Sequence, residues 1–335
     1  MFSHQQSSGM REGVAGSEDP PQRVWDYISR SPLRSLWDLQ GIPWRVVAKR
    51  TWKSMLADNL LGRSAELGFF FLFALFPTLF SASSILGLAA RSASSIYISL
   101  LEYMALVVPT SALGMVLQTF NETTAAATSG KLTFGLVASI WSASVGVSAI
   151  QEALNTVYKT QERRSYFHAR MSAIAVTIVL AVLGTLTLAC MLGGDFVAKM
   201  IRNSVSNAME ASVLAFLAHV VAWTIAMLLL ALCLAVIYYW APGVSKRRWR
   251  WLTPGGALGI FGWVLASLGF RGYLHFFNFY SIAYGSMGAV IILLMWFYLS
   301  AFMLLLGAEI NSEIEAAAAE CLLAAKNAVP PASTS

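Results

Sequence analysis

Uncharged stretches of about twenty residues or more recur along this chain, and they constrain it more than any motif does. The first runs from Leu67 to Ala90, between Glu66 and Arg91, and the longest, Gly272 to Ala308, contains no aspartate, glutamate, lysine or arginine. A helix of roughly 20 apolar residues crosses roughly 30 Å of hydrocarbon, and each charge at its centre costs roughly 2.5 to 3.5 kcal/mol on insertion scales. Only 12% of the 335 residues are charged and 57% are apolar, where a soluble domain carries about 25% charged residues. The remaining charge is gathered into short segments between the runs, which is the pattern a bilayer imposes.

The expected fold class is therefore all-α, a polytopic transmembrane helix bundle of about six spans with amphipathic interfacial helices. The spans fall at about 67–90, 132–151, 171–193, 212–241, 251–270 and 287–308 within a transmembrane domain of residues 66–311. Pro242 suits the end of the fourth, because proline cannot continue a helix. The stretch from Gly272 to about Ser286 mixes aromatic with small polar residues and reads as an irregular segment near a membrane surface. Residues 1–23 lack hydrophobic periodicity, and residues 1–43 are expected to form a largely disordered cytoplasmic segment; residues 312–335 are expected to form a cytoplasmic C-terminal tail.

Residues 44–65 read as an amphipathic cytoplasmic helix, in which Trp44, Val47, Trp52, Met55, Leu56 and Leu60 alternate with Arg45, Lys49, Arg50, Lys53 and Asp58. That pattern suits a helix on the membrane surface and equally one packed against the cytoplasmic ends of the bundle. Ile96–Val108 and Ser111–Phe120 are too short to span and read as surface helices capping the outer face or as a re-entrant hairpin.

Lysine and arginine number nine in residues 1–65, two in 91–131, four in 151–170, two in 194–211 and four in 242–250. By the positive-inside rule the N-terminus, the second and fourth loops and the C-terminus face the cytoplasm. An even number of spans independently puts both termini on one side. The first sixty residues lack the pattern of a cleavable signal, so the first span is expected to direct insertion itself. The net charge of +6 is accounted for by topology, and no nucleic-acid partner is expected. The expected partners are membrane lipids and an unidentified small-molecule or lipid substrate, with an oligomer open.

No catalytic constellation is legible. His4, His168, His219 and His275 are scattered, Cys190, Cys233 and Cys321 have no ligand spacing, and no metal or cofactor is expected. Gly130-Lys131 is followed by Leu132 and has Ala125 where a phosphate loop needs its first glycine. His219 could titrate inside the fourth span or serve as a hydrogen-bonded structural residue. Arg271 falls at the outer edge of the fifth, where snorkelling to headgroups is its default role. Gly255, Gly259, Gly262 and Ala266 have the spacing of a close helix contact.

Three segments carry a family resemblance. Asn59–Leu88 has small residues, an aromatic cluster and a central Phe-Pro at Pro77; Trp141–Tyr158 reads WSASVGVSAIQEALNTVY; Phe279–Glu315 contains YGSMGA, with Tyr284, Gly285, Ser286 and Gly288, and LLGAEIN. In that order they resemble the YihY/BrkB family of bacterial membrane proteins, over residues 45 to 315. The resemblance implies a multi-pass protein of the bacterial inner membrane. The family once carried the label ribonuclease BN, one member is linked to resistance against serum killing, and relatives are connected with envelope and lipid export. The expected function is a permease or exporter of a lipid or amphipathic envelope compound, without its own ATP hydrolysis. The alternatives are a non-transporting scaffold or envelope-assembly factor and, below these, an enzyme acting on lipid or RNA.

Polar residues at the cytoplasmic helix ends form the candidate substrate or proton site. Glu66 opens the first span, Gln151, Glu152 and Asn155 close the second, and Glu309 and Asn311 close the sixth. In a compact bundle they converge on one mouth, with Asn311 orienting Glu66 or Glu309; the plainer alternative is that they mark where helices leave the bilayer. Pro77, Tyr280, Tyr284, Gly285, Ser286 and Gly288 are candidate helix-break or motif positions, for which a tight turn into a closely packed helix is the competing reading.

Overall fold

The computed structural model describes residues 43–89, 114, 118, 129–160, 162, 164–205, 207–243, 253–276 and 286–328. The N-terminal segment, most of the outer pair of short segments, Arg163, the basic run Lys246–Arg248, and Tyr280, Tyr284 and Gly285 lie outside these residues. Among the described residues seven helices follow in order: α1 Trp44–Ala57, α2 Leu60–Ala89, α3 Ser129–Val157, α4 Tyr166–Ser204, α5 Ala208–Trp240, α6 Pro254–Phe276 and α7 Ser286–Ala328. No strand occurs among the described residues. Among the described residues five helical stretches are long and apolar enough to cross a membrane: Phe134–Val157, Tyr166–Ser204, Ala208–Trp240, Pro254–Phe276 and Gly288–Ala324. The first expected span lies on α2, a further helix of 30 residues that continues unbroken through Pro77.

Helix boundaries differ from the expected ones where charge marks the edge of the membrane but not the end of the helix. The amphipathic segment does not continue to residue 65, because the chain turns at Asp58–Asn59, with Asn59 at a left-handed φ of 52°, a conformation asparagine tolerates better than most residues. α7 runs through the expected tail to Ala328, 43 residues in all, or about 65 Å at a rise of about 1.5 Å per residue. That is twice the hydrocarbon thickness, so α7 extends well past the bilayer. Residues 311–319 of the extension are buried on every side of the helix.

The extension decides between the two readings of α1. Val47, Thr51 and Met55 are the buried stripe of α1, and Arg50 joins it to α7 by pairing with Glu313 at 2.9 Å and Glu320 at 2.7 Å. Ser54 Oγ donates to Glu313 at 2.6 Å. Hydrogen bonding to Glu320, and then to Glu313, raises the Arg50 guanidinium above its ordinary value against the opposing cost of burial. α1 is thus packed on the bundle, while its opposite face leaves Lys49, Trp52, Lys53 and Leu56 exposed.

The core sits toward the end of the bundle that carries α1, where Leu60 and Leu67 of α2, Ile150, Leu154 and Val157 of α3, Tyr238 of α5 and Ala301, Leu305 and Ala308 of α7 pack together. Small residues bring the helices that close. A Cβ on Gly68 would meet the Tyr298 backbone nitrogen at 3.1 Å. α4 and α5 pack on each other through Gly194 and Ala198 against Ala211, Ala215 and Ala222, and they turn Phe196, Phe216, Val221 and Leu228 outward. In a bilayer such outward apolar surface meets acyl chains, so small residues hold the helices together while large ones face lipid.

Candidate functional site

The polar residues at these helix ends do not form one mouth; they separate into three groups. The first ties three helix ends. Asn155, near the end of α3, accepts at Oδ1 from the Gly243 N–H at 2.7 Å and donates from Nδ2 to Glu162 at 3.0 Å. Glu162 receives both arms of the Arg164 guanidinium, at 2.8 and 2.7 Å. Arg164 reaches on to the Ala241 carbonyl after α5 and to Ser172 on α4, which also accepts from Gln151 at 3.4 Å. Every polar group here is used on another part of the chain, which makes the cluster a clamp.

The clamp has a pH signature. Hydrogen bonding to Arg164, first, and to Asn155 lowers the Glu162 carboxyl from 4.5 to about 2 against its partial burial. Its contribution to stability is therefore complete above the unfolded value of 4.5 and is lost as pH falls through about 2. Glu162 is partly exposed, so solvent screening limits that contribution to under about 1 kcal/mol. The detergent melting temperature of the Glu162→Gln variant should accordingly fall less between pH 6 and pH 3 than that of the native protein. Parallel pH curves would count against the clamp.

The second group is a helix cap. Pro254 opens α6, where its missing N–H is no loss, and Thr253 Oγ1 accepts from the Gly256 N–H at 3.0 Å. Asn311 completes the cap from α7, accepting from the Gly255 N–H at 2.9 Å and donating to Thr253 at 2.8 Å. Asn311 therefore does not orient a carboxylate, contrary to expectation. Residues two apart on an α-helix point about 200° away from each other, so Asn311 and Glu309 face different neighbours.

The third group surrounds Glu309. Its residue is 0% exposed, and neither carboxylate oxygen has a hydrogen-bond partner among the described residues. Asp58 from the α1–α2 turn, Lys159 just beyond α3 and Glu313 one turn on in α7 are the charged groups that act on it. Asp58 and Lys159 form an ion pair, yet Asp58 Oδ2 and Thr51 Oγ1 are also buried without partners. Four unpartnered oxygens thus occur in the region where α1, α2, α3 and α7 meet, whereas neighbouring Glu313 is fully engaged by Arg50 and Ser54. Buried polar groups are nearly always satisfied, so a carboxyl held this way is suited to taking up a proton or a cationic group.

Glu66 and Glu152 are exposed and stand apart from Glu309. Gly288 is buried in the first turn of α7, which Ser286 opens. Arg271 lies exposed near the end of α6. His219 is paired: Nε2 lies 2.7 Å from Asp195 Oδ1 and Nδ1 lies 3.1 Å from the Ala215 carbonyl oxygen, joining α4 to α5. Sequence reasoning missed Asp58, Lys159 and Asp195. Asp195 could have been found as the first charge after an apolar run, whereas Asp58 and Lys159 lie beyond the charges that bound theirs and carry no such signal.

The family model described as Virulence factor BrkB matches residues 51–330, in agreement with the motifs read in the sequence. The ribonuclease-like protein YfkH of Bacillus subtilis (strain 168) is 34% identical over 252 residues, 75% of this chain and 88% of that protein. A UPF0761 membrane protein of Xanthomonas campestris pv. campestris (strain B100) is 28% identical over 189 residues, 56% of this chain and 42% of its own length. Another, from Methylibium petroleiphilum, is 30% identical over 178 residues, 53% of this chain and 40% of its own length. The chain thus spans most of the Bacillus protein but less than half the length of these UPF0761 proteins. No solved structure matches it.

Proposed function

Since this multi-pass membrane chain belongs to the virulence factor BrkB family, we propose that it is a permease or exporter of a lipid or amphipathic envelope compound in the bacterial inner membrane. The observation that carries the reading is Glu309, fully buried on the longest helix with both oxygens unpartnered. An unpaired buried carboxyl costs stability, and positions that break the packing rules at such a cost are favoured places for function. Glu309 takes up a proton or a ligand ammonium on the cytoplasmic side, and the Asp58–Lys159 pair beside it tunes that uptake.

The ribonuclease-like name of the Bacillus relative is not carried over to this chain. His168 bonds to Ser165 at the start of α4, whereas His219 pairs with Asp195. Asp195 stands 27 residues farther along α4 than His168, about 40 Å at the helical rise, so these imidazoles cannot share one reaction centre.

Net movement of an envelope lipid or amphiphile in vesicles containing only this protein tests the function. Co-purification with a partner and no flux would support the scaffold reading instead. Both termini are cytoplasmic in this proposal. Alkaline phosphatase joined after Lys131 should then be active and after Arg164 inactive, and the reverse pattern would overturn the orientation.

A further inference from the structure

Arg170 is the fifth residue of α4, but its guanidinium extends along α3 toward the membrane interior. Its Nη1 donates to Ser148 Oγ at 3.0 Å and to the Ser144 carbonyl at 3.4 Å, and its Cζ lies 4.5 Å from the centre of the Trp141 ring. Ser144 is seven residues before Gln151 on α3, or about 10 Å farther into the bilayer than the polar clamp. Among the described residues the Nε and Nη2 donors make no hydrogen bond and no carboxylate pairs with Arg170. A guanidinium at membrane depth normally finds a counter-charge or turns back to the aqueous surface, and Arg170 does neither.

The surface around it is apolar and outward-facing. Phe134, Val137 and Trp141, at helical spacing on α3, are exposed, with Trp141 at 60%, as are Phe167 and Met171 on α4, with Phe167 at 70%. Along α3 the stripe runs from Trp141, beside the guanidinium, to Phe134, away from the cytoplasmic end. A lipid of the cytoplasmic leaflet has this layout, with its head toward the cytoplasm and its chains toward the bilayer centre. We propose that Arg170, backed by Trp141, Ser144 and Ser148, binds the anionic headgroup of a cytoplasmic-leaflet phospholipid while the Phe134–Val137–Trp141 stripe receives its acyl chains.

The chemistry fits the residue. An arginine fork binds phosphate oxygens through paired N–H groups, which a lysine ammonium cannot reproduce, and the indole face holds the cation in place. The site does not depend on transport, because a tightly held structural lipid would occupy it as well.

The test measures, by mass spectrometry, the lipid retained on the detergent-purified full chain titrated with phosphatidylglycerol, phosphatidylcholine or inorganic phosphate. One phosphatidylglycerol should bind about tenfold more tightly than phosphatidylcholine, a difference of one charge-assisted contact. Arg170→Gln should abolish that preference and leave the lipid-free melting temperature close to native. An unchanged preference in folded Arg170→Gln protein would overturn the proposal. So would competition by inorganic phosphate at the lipid's own concentration, which would mark a free-anion site. If the glutamine variant does not fold, Arg170→Lys takes its place, with the preference expected to fall about threefold for loss of the paired geometry; retention of the full preference would overturn the assignment.

Discussion

Replacement of Gly255 by alanine, a single added methyl group, should separate α6 from α7 and lower the detergent melting temperature more than any other glycine-to-alanine change in the bundle. A Cβ at this position would fall on the Gly307 carbonyl oxygen, well inside contact distance, and 2.7 Å from Asn311 Oδ1. Neither neighbour can yield cheaply. The Gly307 carbonyl is backbone, and Asn311 is fixed by its bonds to Gly255 and Thr253. From the other side, a Cβ on Gly307 would meet the Gly255 carbonyl at 2.5 Å and Tyr238 Oη at 2.6 Å, and that hydroxyl is already donating to the Leu304 carbonyl at 2.7 Å. Overpacking a close contact costs about 1 to 3 kcal/mol, and loss of the cap about 1 more. At roughly 2 to 4 °C per kcal/mol for a chain of this size, the expected drop is about 5 to 15 °C. Gly184→Ala is the control, since no atom lies within 4 Å of the added Cβ. Similar melting temperatures for the two variants would show that α6 and α7 do not meet through Gly255.

Glu309→Gln should remove function while leaving the fold intact. The substitution keeps the size of the side chain and breaks no hydrogen bond, because the carboxylate makes none; it takes away only the capacity to gain or lose a proton. Flux in vesicles, or complementation of deletion cells, should fall by at least about tenfold, the scale of losing one charge-dependent step. Membrane abundance and melting temperature should match the native protein or exceed it. Glu313→Gln is the informative contrast. Its carboxylate holds Arg50 and Ser54; Arg50 keeps its two bonds to Glu320, so loss of the Glu313 charge costs about 1 to 2 kcal/mol, the scale of one partly exposed charge-assisted contact and one hydrogen bond. Glu313→Gln should therefore lose stability first and activity only in proportion. Native flux in Glu309→Gln would end its assignment to a site, and parallel loss of flux and folded protein would make Glu309 a structural residue.

The bilayer-crossing helices were legible in the sequence because hydrocarbon selects against charge, and absence of charge is a property of the chain read residue by residue. The end at Pro242 could also be read locally, as could the small-residue spacing at Gly255, Gly259 and Gly262. Where a helix stops is a different matter. α7 continues past the expected end of the span because residues 311–319 are enclosed by protein, and no local signal distinguishes an enclosed extension from a tail.

The candidate site was legible only in part. Residues at one membrane level can be gathered from the sequence, which is how Glu309 and Asn311 came to be grouped, but each residue turns a helix by about 100°, and that rotation sends these two to different neighbours. The pairing of His219 with Asp195, the gathering of Asp58 and Lys159 beside Glu309, and the inward reach of Arg170 along α3 all depend on which face each helix turns to which neighbour. Helix rotation is set by packing of small residues such as Gly68, Gly194 and Gly255 against partners far away in the chain. The sequence by itself thus determined which segments enter the membrane, and only the tertiary structure decided which polar groups meet there and which are left without a partner.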